Sequence, residues 1–107
     1  MDHGKIEQIV KQYAELVAEE FSVDMVVLFG SYANGTARTD SDIDVAVIVD
    51  EIEGDFLESS ARLFHLTWNI DVRMEPIILE KKDKRSGFLE EIKKTGQIIY
   101  KRDQALA

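Results

Sequence analysis

Two aspartates, Asp42 and Asp44, stand where a polar stretch leads into an apolar run ending at Val49. Side chains alternate along a strand, so both carboxylates point the same way, with Cα atoms about 7 Å apart. At a carboxylate separation of ~5 Å and an effective dielectric of ~20, their repulsion costs about 3 kcal/mol. A divalent cation reverses that cost, and Mg²⁺ favours carboxylate oxygens combined with substrate phosphate. The pair indicates a metal site, the alternative being two solvated acids at a strand entrance.

A glycine and a serine, Gly30 and Ser31, directly follow an apolar run at 25–29 that predicts a buried strand. Glycine lets the backbone approach a phosphate closely, and the following amides and the Ser31 hydroxyl can donate to phosphate oxygens. This pattern is weak alone, because a Gly-Ser at a strand end is more often a simple turn.

A third acid is predicted on the strand that follows the second helix. Asp71 lies on the polar side of an alternating stretch at 69–79, together with Arg73 and Glu75. If this strand lies beside the Asp42 strand, Asp71 completes a three-carboxylate cage for two metals, which could clamp both oxygens of an in-line displacement. Glu75 is a rival for this place, made less favourable by its neighbour Pro76. The alternative is a solvated sheet face.

The elements that must position these groups follow from hydrophobic spacing. We predict helices at 6–21, 56–68 and 87–95, and strands at 25–29, 43–49, 69–79 and 97–100. This order predicts an α/β fold with a small mixed sheet, helices mainly on one face, and the site at the sheet edge beside Gly30. In the second helix Leu57, Ala61, Phe64 and Trp68 share one side, and Trp68 with the other aromatics is expected to fill core positions.

Composition limits the classes of protein that need to be considered. The chain has 107 residues, which predicts a single domain over 1–107. Its net charge of −8 makes direct nucleic-acid binding over a broad surface unexpected, because such surfaces need clustered Lys and Arg. No cysteine is present, so thiolate metal sites are excluded. The first residues carry no apolar signal segment and no run is long enough for a membrane span, so we expect a cytoplasmic protein.

The motif as a whole resembles a known family. Gly30-Ser31, ten intervening residues and then Asp42-Ile43-Asp44, flanked by apolar strands, is similar to the signature of the polymerase-beta-like nucleotidyltransferase superfamily. The stretch GSYANGTARTDSDIDVAVIV is especially similar to the minimal nucleotidyltransferases of bacteria and archaea. Because spacing, strand context and a third acid coincide, the resemblance favours the metal-site interpretation and implies the polymerase-beta-like fold.

The resemblance also implies roles for the residues. Gly30 and Ser31 would hold the β- and γ-phosphates of ATP, Asp42 and Asp44 would bind two Mg²⁺ ions, and Asp71 would hold the metal that activates the acceptor hydroxyl. One departure is visible, because many family members carry an arginine near the position of Asn34. The nearest guanidinium is that of Arg38, which could neutralise the triphosphate or be a solvated loop charge.

The acceptor is suggested by the same resemblance. Chains similar to this one are typically paired with a HEPN-domain ribonuclease toxin, for which they act as antitoxin. This implies a hetero-oligomer in which AMP passes from ATP to a tyrosine hydroxyl of the toxin. Two alternatives stay open: modification of a small-molecule hydroxyl, as in the antibiotic-modifying relatives, and a non-catalytic antitoxin that inhibits by binding.

Overall fold

The computed structural model describes residues 3–38, 40–83 and 87–102 of the chain. The described residues include the helices α1 (His3–Ala18), α2 (Ser31–Asn34), α3 (Phe56–Leu66) and α4 (Phe88–Thr95), with a 3₁₀ turn at Thr67–Asn69. They also include the strands β1 (Val23–Phe29), β2 (Ile43–Val49), β3 (Met74–Glu80) and β4 (Gln97–Lys101). Within the described residues, no helix combines the length and the apolar character that crossing a bilayer requires.

The strands form one mixed sheet in the order β3-β2-β1-β4. β1 is antiparallel to both β2 and β4, whereas β2 and β3 are parallel and joined through α3. Two cross-strand pairs matter for function: Asp44 of β2 lies opposite Phe29 of β1 and opposite Glu75 of β3. The mixed sheet and the adjacency of the second and third strands confirm the predicted architecture.

Apolar side chains cover both faces of this sheet, but unequally. The larger core lies between the sheet and helices α1 and α3, and it contains fully buried Ile43 and Val45. The smaller core lies on the opposite face under α4, around Val27 and Ala46. Most of the helical layer is therefore on one face, as predicted. Because side chains alternate along β2, Asp44 points to the less covered face, the one that also carries Ala46.

The third strand begins later than its alternating pattern predicted. β3 starts at Met74 rather than near Asn69, and the preceding residues form a 3₁₀ turn and a bend. The amides of Ile70 and Asp71 both donate to the Thr67 carbonyl, at 2.9 and 2.8 Å. These local hydrogen bonds give the backbone an alternative to the sheet ladder. The prediction that Asp71 lies on the strand was therefore wrong.

The second helix buries a different side from the one predicted. Leu63 and Leu66 enter the core, whereas Leu57, Phe64 and Trp68 are 72%, 49% and 63% exposed. Both sets recur at helical spacing, so periodicity alone could not decide which one faces the sheet. The expectation that Trp68 fills the core was wrong.

Candidate active site

The Asp42 and Asp44 carboxylates are placed by the entry into β2. Ile43 and Val45 are fully buried in the larger core, which sets the alternation of this strand. The Ile43 amide donates to the Arg73 carbonyl at 2.9 Å, so the start of β2 is already fixed to the segment that precedes β3. Asp44 is half-buried and Asp42 is exposed. Burial of the intervening isoleucine thus turns both acids away from the larger core, as the sequence predicted.

Gly30 and Asp44 are in close contact. Gly30 has a φ of 75° and a ψ of −150°, a conformation that L side chains rarely adopt. A Cβ added at this position would overlap the Asp44 carboxylate, with the Cγ atom only 3.2 Å away. The glycine therefore has two functions: it allows the sharp turn out of β1, and it leaves the space that the carboxylate occupies.

Ser31 opens a single helical turn directly beside this glycine. The amides of Ala33 and Asn34 both donate to the Gly30 carbonyl at 3.1 Å, and the turn ends at Gly35, which has a φ of 81°. Tyr32 anchors the turn in the larger core. The Ser31 side chain is left partly exposed on the turn that follows β1. A polar side chain at this place is free to donate to a ligand oxygen.

The loop between α2 and β2 is held through its backbone at Arg38. The Arg38 amide donates to Ser41 Oγ at 2.7 Å, and the Arg38 carbonyl accepts from the Tyr32 hydroxyl at 3.2 Å. The Arg38 guanidinium is exposed and belongs to none of the ion pairs found among the described residues. Asn34, where an arginine was expected, instead accepts from the Thr36 hydroxyl at 2.7 Å.

Glu75 is the acid that the fold brings to the Asp42–Asp44 pair. The parallel register sets it opposite Asp44, on the same face of the sheet. Glu75 is exposed, and its pKa is raised first by the charge of Asp42, then by the loss of some contact with water, by the charge of Asp44 and by a side-chain hydrogen bond with Asp42. The pKa of Asp44 is raised as well, by burial and then by the charge of Asp42. Three carboxylates thus influence one another at this edge.

Asp71, the predicted third acid, is engaged elsewhere. Its Oδ1 accepts from the Arg73 backbone amide at 2.9 Å and from Arg73 Nε at 3.0 Å, and its Oδ2 accepts from Arg73 Nη2 at 2.7 Å. These hydrogen bonds from the Arg73 side chain hold the pKa of Asp71 below its usual range. The carboxylate stabilises the bend before β3 and keeps its charge compensated without a metal.

The register therefore places Glu75, the less favoured candidate, opposite Asp44, whereas Asp71 precedes the strand, and the identity of the third acid stays a prediction. An Asp followed two residues later by Arg is able to form the turn seen here, in which the side chain caps the backbone. Pro76 made Glu75 the less favoured candidate for the third acid, because proline has no backbone N–H to donate to a neighbouring strand. Among the described strands β3 pairs with β2 alone, so it is an edge strand, where a proline is tolerated.

The chemistry of these donors fits a hard divalent cation. All three side chains are carboxylates, and two of them have raised pKa values, Glu75 mainly through the charge of Asp42 and Asp44 mainly through burial and then through the charge of Asp42. Among the described residues, no group of three Asp, Glu or His side chains is arranged as a finished metal cage. Mg²⁺ commonly uses one or two carboxylates, with substrate phosphates and waters supplying the remaining ligands, so a finished cage is not required.

Comparisons with known proteins agree with this geometry. The chain is 32% identical over 98 residues to a Methanocaldococcus jannaschii protein provisionally named protein adenylyltransferase MJ0141, covering 86% of this chain and 96% of that one. A provisionally assigned nucleotidyltransferase from Sulfolobus solfataricus has a similar structure, with a TM-score of 0.71, 22% identity, and coverage of 94% and 85% of the two chains.

A second solved structure is the complex of tri-AMPylated Shewanella oneidensis HEPN toxin with MNT antitoxin. A chain of that complex matches with a TM-score of 0.60 and 17% identity, over 98% of this chain and 79% of the other. The sequence model described as "Polymerase beta, Nucleotidyltransferase" matches residues 5–105. This match spans the turn at Gly30, the aspartates Asp42 and Asp44, and Glu75, and the chain belongs to the polymerase beta nucleotidyltransferase family.

Proposed function

We propose that this chain is a metal-dependent protein adenylyltransferase that acts as an antitoxin. It transfers AMP from ATP to a hydroxyl, most simply a tyrosine hydroxyl, of a HEPN-domain toxin with which it assembles in the cytoplasm. The observation that carries the proposal is the meeting of Asp42, Asp44 and Glu75 at one sheet edge, directly beside the Gly30 turn. Nucleotidyl transfer needs carboxylates that can hold metal ions and a turn whose backbone can approach phosphates closely, and both are found at this edge.

The turn after β1 is the proposed triphosphate site. Gly30 brings the backbone close to the ligand, and the Ser31 hydroxyl donates to oxygens of the β- and γ-phosphates. Arg38 reaches the same phosphates from the neighbouring loop, where its exposed guanidinium has freedom to move. These groups fix the pyrophosphate portion, which is the leaving group, and so orient the α-phosphorus towards the acids.

Asp42, Asp44 and Glu75 are the residues that would hold two Mg²⁺ ions. Bound there, the ions would lower the pKa of the acceptor hydroxyl and balance the charge of the leaving pyrophosphate. The hydroxyl oxygen bonds to the α-phosphorus, the bond from that phosphorus to the β-phosphate oxygen breaks, and the hydroxyl proton passes to a carboxylate of the cluster. Asp71 acts on this site indirectly, because its ion pair with Arg73 shapes the bend that precedes Glu75.

The relatives support the choice of acceptor. One carries a protein adenylyltransferase name, and a similar fold occurs in a complex of an AMPylated HEPN toxin with its antitoxin. The net charge of −8 suits a basic, nucleic-acid-binding partner better than it suits nucleic acid itself.

The test uses ATP labelled at either the α- or the γ-phosphate. The chain, Mg²⁺ and the HEPN-domain protein are incubated together, and label on each protein is measured after gel separation. We expect label from the α-phosphate, and none from the γ-phosphate, on the HEPN protein. Pyrophosphate release with no labelled protein would point to a small-molecule acceptor, and tight binding with no label or pyrophosphate would point to inhibition by binding alone.

A further inference from the structure

An apolar stripe lies on the outer side of α3 and the turn after it. It consists of Leu57, Ala61, Phe64 and Trp68, which recur at spacings of three and four residues. The three large members are 72%, 49% and 63% exposed, although Leu63 and Leu66 on the inner side are fully or almost fully buried. Their exposed area is roughly 400 Å², given that an aromatic side chain can bury 150–250 Å². A patch of this size is about as large as the largest found on typical monomers.

The stripe is held in a defined conformation. The ring of Trp68 packs against that of His65 with centroids 4.6 Å apart. Asp55 caps the first turn of α3 by accepting from the Leu57 amide at 3.1 Å, and the Tyr13 hydroxyl donates to the Leu63 carbonyl at 2.7 Å beneath it. Binding to this surface would therefore cost little conformational entropy, which favours recognition of a partner.

The stripe leads towards the proposed active site. α3 connects the end of β2 to the start of the parallel strand β3, so its last turn lies at the sheet end where both strands begin. Trp68 belongs to the turn that follows, and the acids Asp42, Asp44 and Glu75 stand at the start of β2 and β3. The acids point to the sheet face opposite α3, so a protein bound along the stripe would reach them around the end of the sheet where β2 and β3 begin.

The opposite end of the stripe is acidic. Glu51, Glu53 and Glu58 are exposed around the start of α3 and form none of the ion pairs found among the described residues. A cleft of about 180 Å³ beside them is lined by Glu20, Glu51 and Glu53 among others. Only one basic side chain of α3, Arg62, is close, and it is paired with Glu20 at 2.7 Å. This border complements Lys and Arg side chains on a partner.

We propose that the outer stripe is the docking surface for the protein that supplies the acceptor hydroxyl, a partner with an apolar patch bordered by Lys and Arg. The inference rests on the proposed function for the identity of the acceptor. Trp68 and Phe64 form the centre of the contact, since aromatic side chains dominate the binding energy of interfaces. The glutamates steer the encounter, and the stripe holds the acceptor at the catalytic edge.

The single tryptophan of the chain makes this measurable. The HEPN-domain protein of the proposed function is titrated into the wild type, Phe64→Ser, Trp68→Ser and, as a matched control, Ile98→Ser, which replaces a 44% exposed residue on β4. Calorimetry gives the dissociation constant, and the difference in emission between wild type and Trp68→Phe reports burial of the indole. Stabilisation by Mg²⁺ and a non-hydrolysable ATP analogue checks that each variant keeps its nucleotide site.

We expect each stripe variant to weaken binding at least about tenfold, with little change for Ile98→Ser. The indole emission should shift to shorter wavelength on binding, and Glu51→Gln with Glu53→Gln should slow association. Unchanged binding by the stripe variants, or no binding by the wild type, would refute the surface. A dimer of the chain alone that Trp68→Ser dissociates would assign the stripe to a second copy and also refute the proposal.

Failure of the docking surface and failure of the proposed function give different results. Binding that depends on Trp68, with no AMP transferred, retains the surface and refutes the reaction. AMP transfer that is equal in wild type and Trp68→Ser at limiting acceptor concentration retains the reaction and refutes the surface.

Discussion

The Asp44 carboxylate occupies the space that a side chain at Gly30 would need. The turn proposed to hold the phosphates and the acid proposed to hold the metal are therefore coupled through direct contact across β1 and β2. The cross-strand pair of Phe29 with Asp44 places the two elements in this register. A change to either partner should affect both the fold and the chemistry.

Gly30→Ala tests this contact, with Gly35→Ala as its control. Both glycines have positive φ, but Gly35 is in the left-handed helical region, where an alanine should cost about 1–2 kcal/mol of unfolding free energy, whereas the ψ of −150° at Gly30 belongs to a region that almost only glycine adopts. Nothing lies within 4 Å of a Cβ at Gly35, whereas the one at Gly30 overlaps Asp44. We expect Gly30→Ala to lose a further 1–3 kcal/mol or so and nearly all transfer activity, and Gly35→Ala to keep activity. The coupling would be contradicted if Gly30→Ala and Gly35→Ala had equal effects on the unfolding free energy and on AMP transfer.

Glu75→Gln and Asp71→Asn distinguish the two candidates for the third acid. If Glu75 is the catalytic acid, its amide variant should lower kcat/KM by about 100-fold or more while leaving the fold intact. Its stability should not fall, because the change removes repulsion with Asp42 and Asp44. Asp71→Asn should reduce transfer far less. If Asp71→Asn lowered kcat/KM more than Glu75→Gln did, Asp71 would be the third acid, as the sequence predicted.

The ion pair of Asp71 with Arg73 predicts a pH dependence of stability. Hydrogen bonds from Arg73 lower the folded-state pKa of Asp71 below 3.8, so the pair stabilises the protein above the unfolded pKa and loses this effect as pH falls through the folded pKa. Asp71→Asn should therefore cost about 1–2 kcal/mol in urea denaturation at pH 7 and much less near pH 2. A difference between wild type and variant that is constant with pH would contradict this assignment.

Nucleotide and metal should stabilise the protein together. A non-hydrolysable ATP analogue with Mg²⁺, at about 100 times its dissociation constant, should add roughly 2.7 kcal/mol to the unfolding free energy. We expect the shift in thermal melting to disappear in Asp44→Asn and to fall strongly when Mg²⁺ is chelated. A full shift in either condition would mean that the nucleotide binds without the acids of β2.

Arg38→Ala tests whether this arginine takes the place of the one expected near Asn34. The exposed side chain can move towards the triphosphate, so we expect KM for ATP to rise about five- to tenfold with kcat changed less. Arg38→Lys should recover part of this effect because it keeps the charge. Stability should be unchanged, since the Arg38 contacts with Ser41 and Tyr32 are made by backbone atoms. An unaltered KM would show that Arg38 is only a solvated loop charge.

The sequence predicted best what depends on local pattern. The bounds of β2 followed from its uninterrupted apolar run, and the direction of Asp42 and Asp44 followed from the alternation around Ile43, which is fully buried. The strand start at Met74 was missed because Asp71 accepts hydrogen bonds from the backbone amide and side chain of Arg73. These bonds form a turn where the sequence pattern predicted strand pairing. The exposure of Trp68 was missed because α3 carries two apolar sides and only the tertiary packing selects one.

The most direct test of the central claim is the intact mass of the HEPN-domain protein after incubation with the chain, Mg²⁺ and ATP. We predict that this protein gains one or more AMP-sized increments with the wild-type chain and none with Asp42→Asn, although both chains bind it. Asp42→Asn should remain folded, because the replaced side chain is exposed and its loss relieves repulsion. Equal mass increments with both chains, or none with either while the complex forms, would contradict the account.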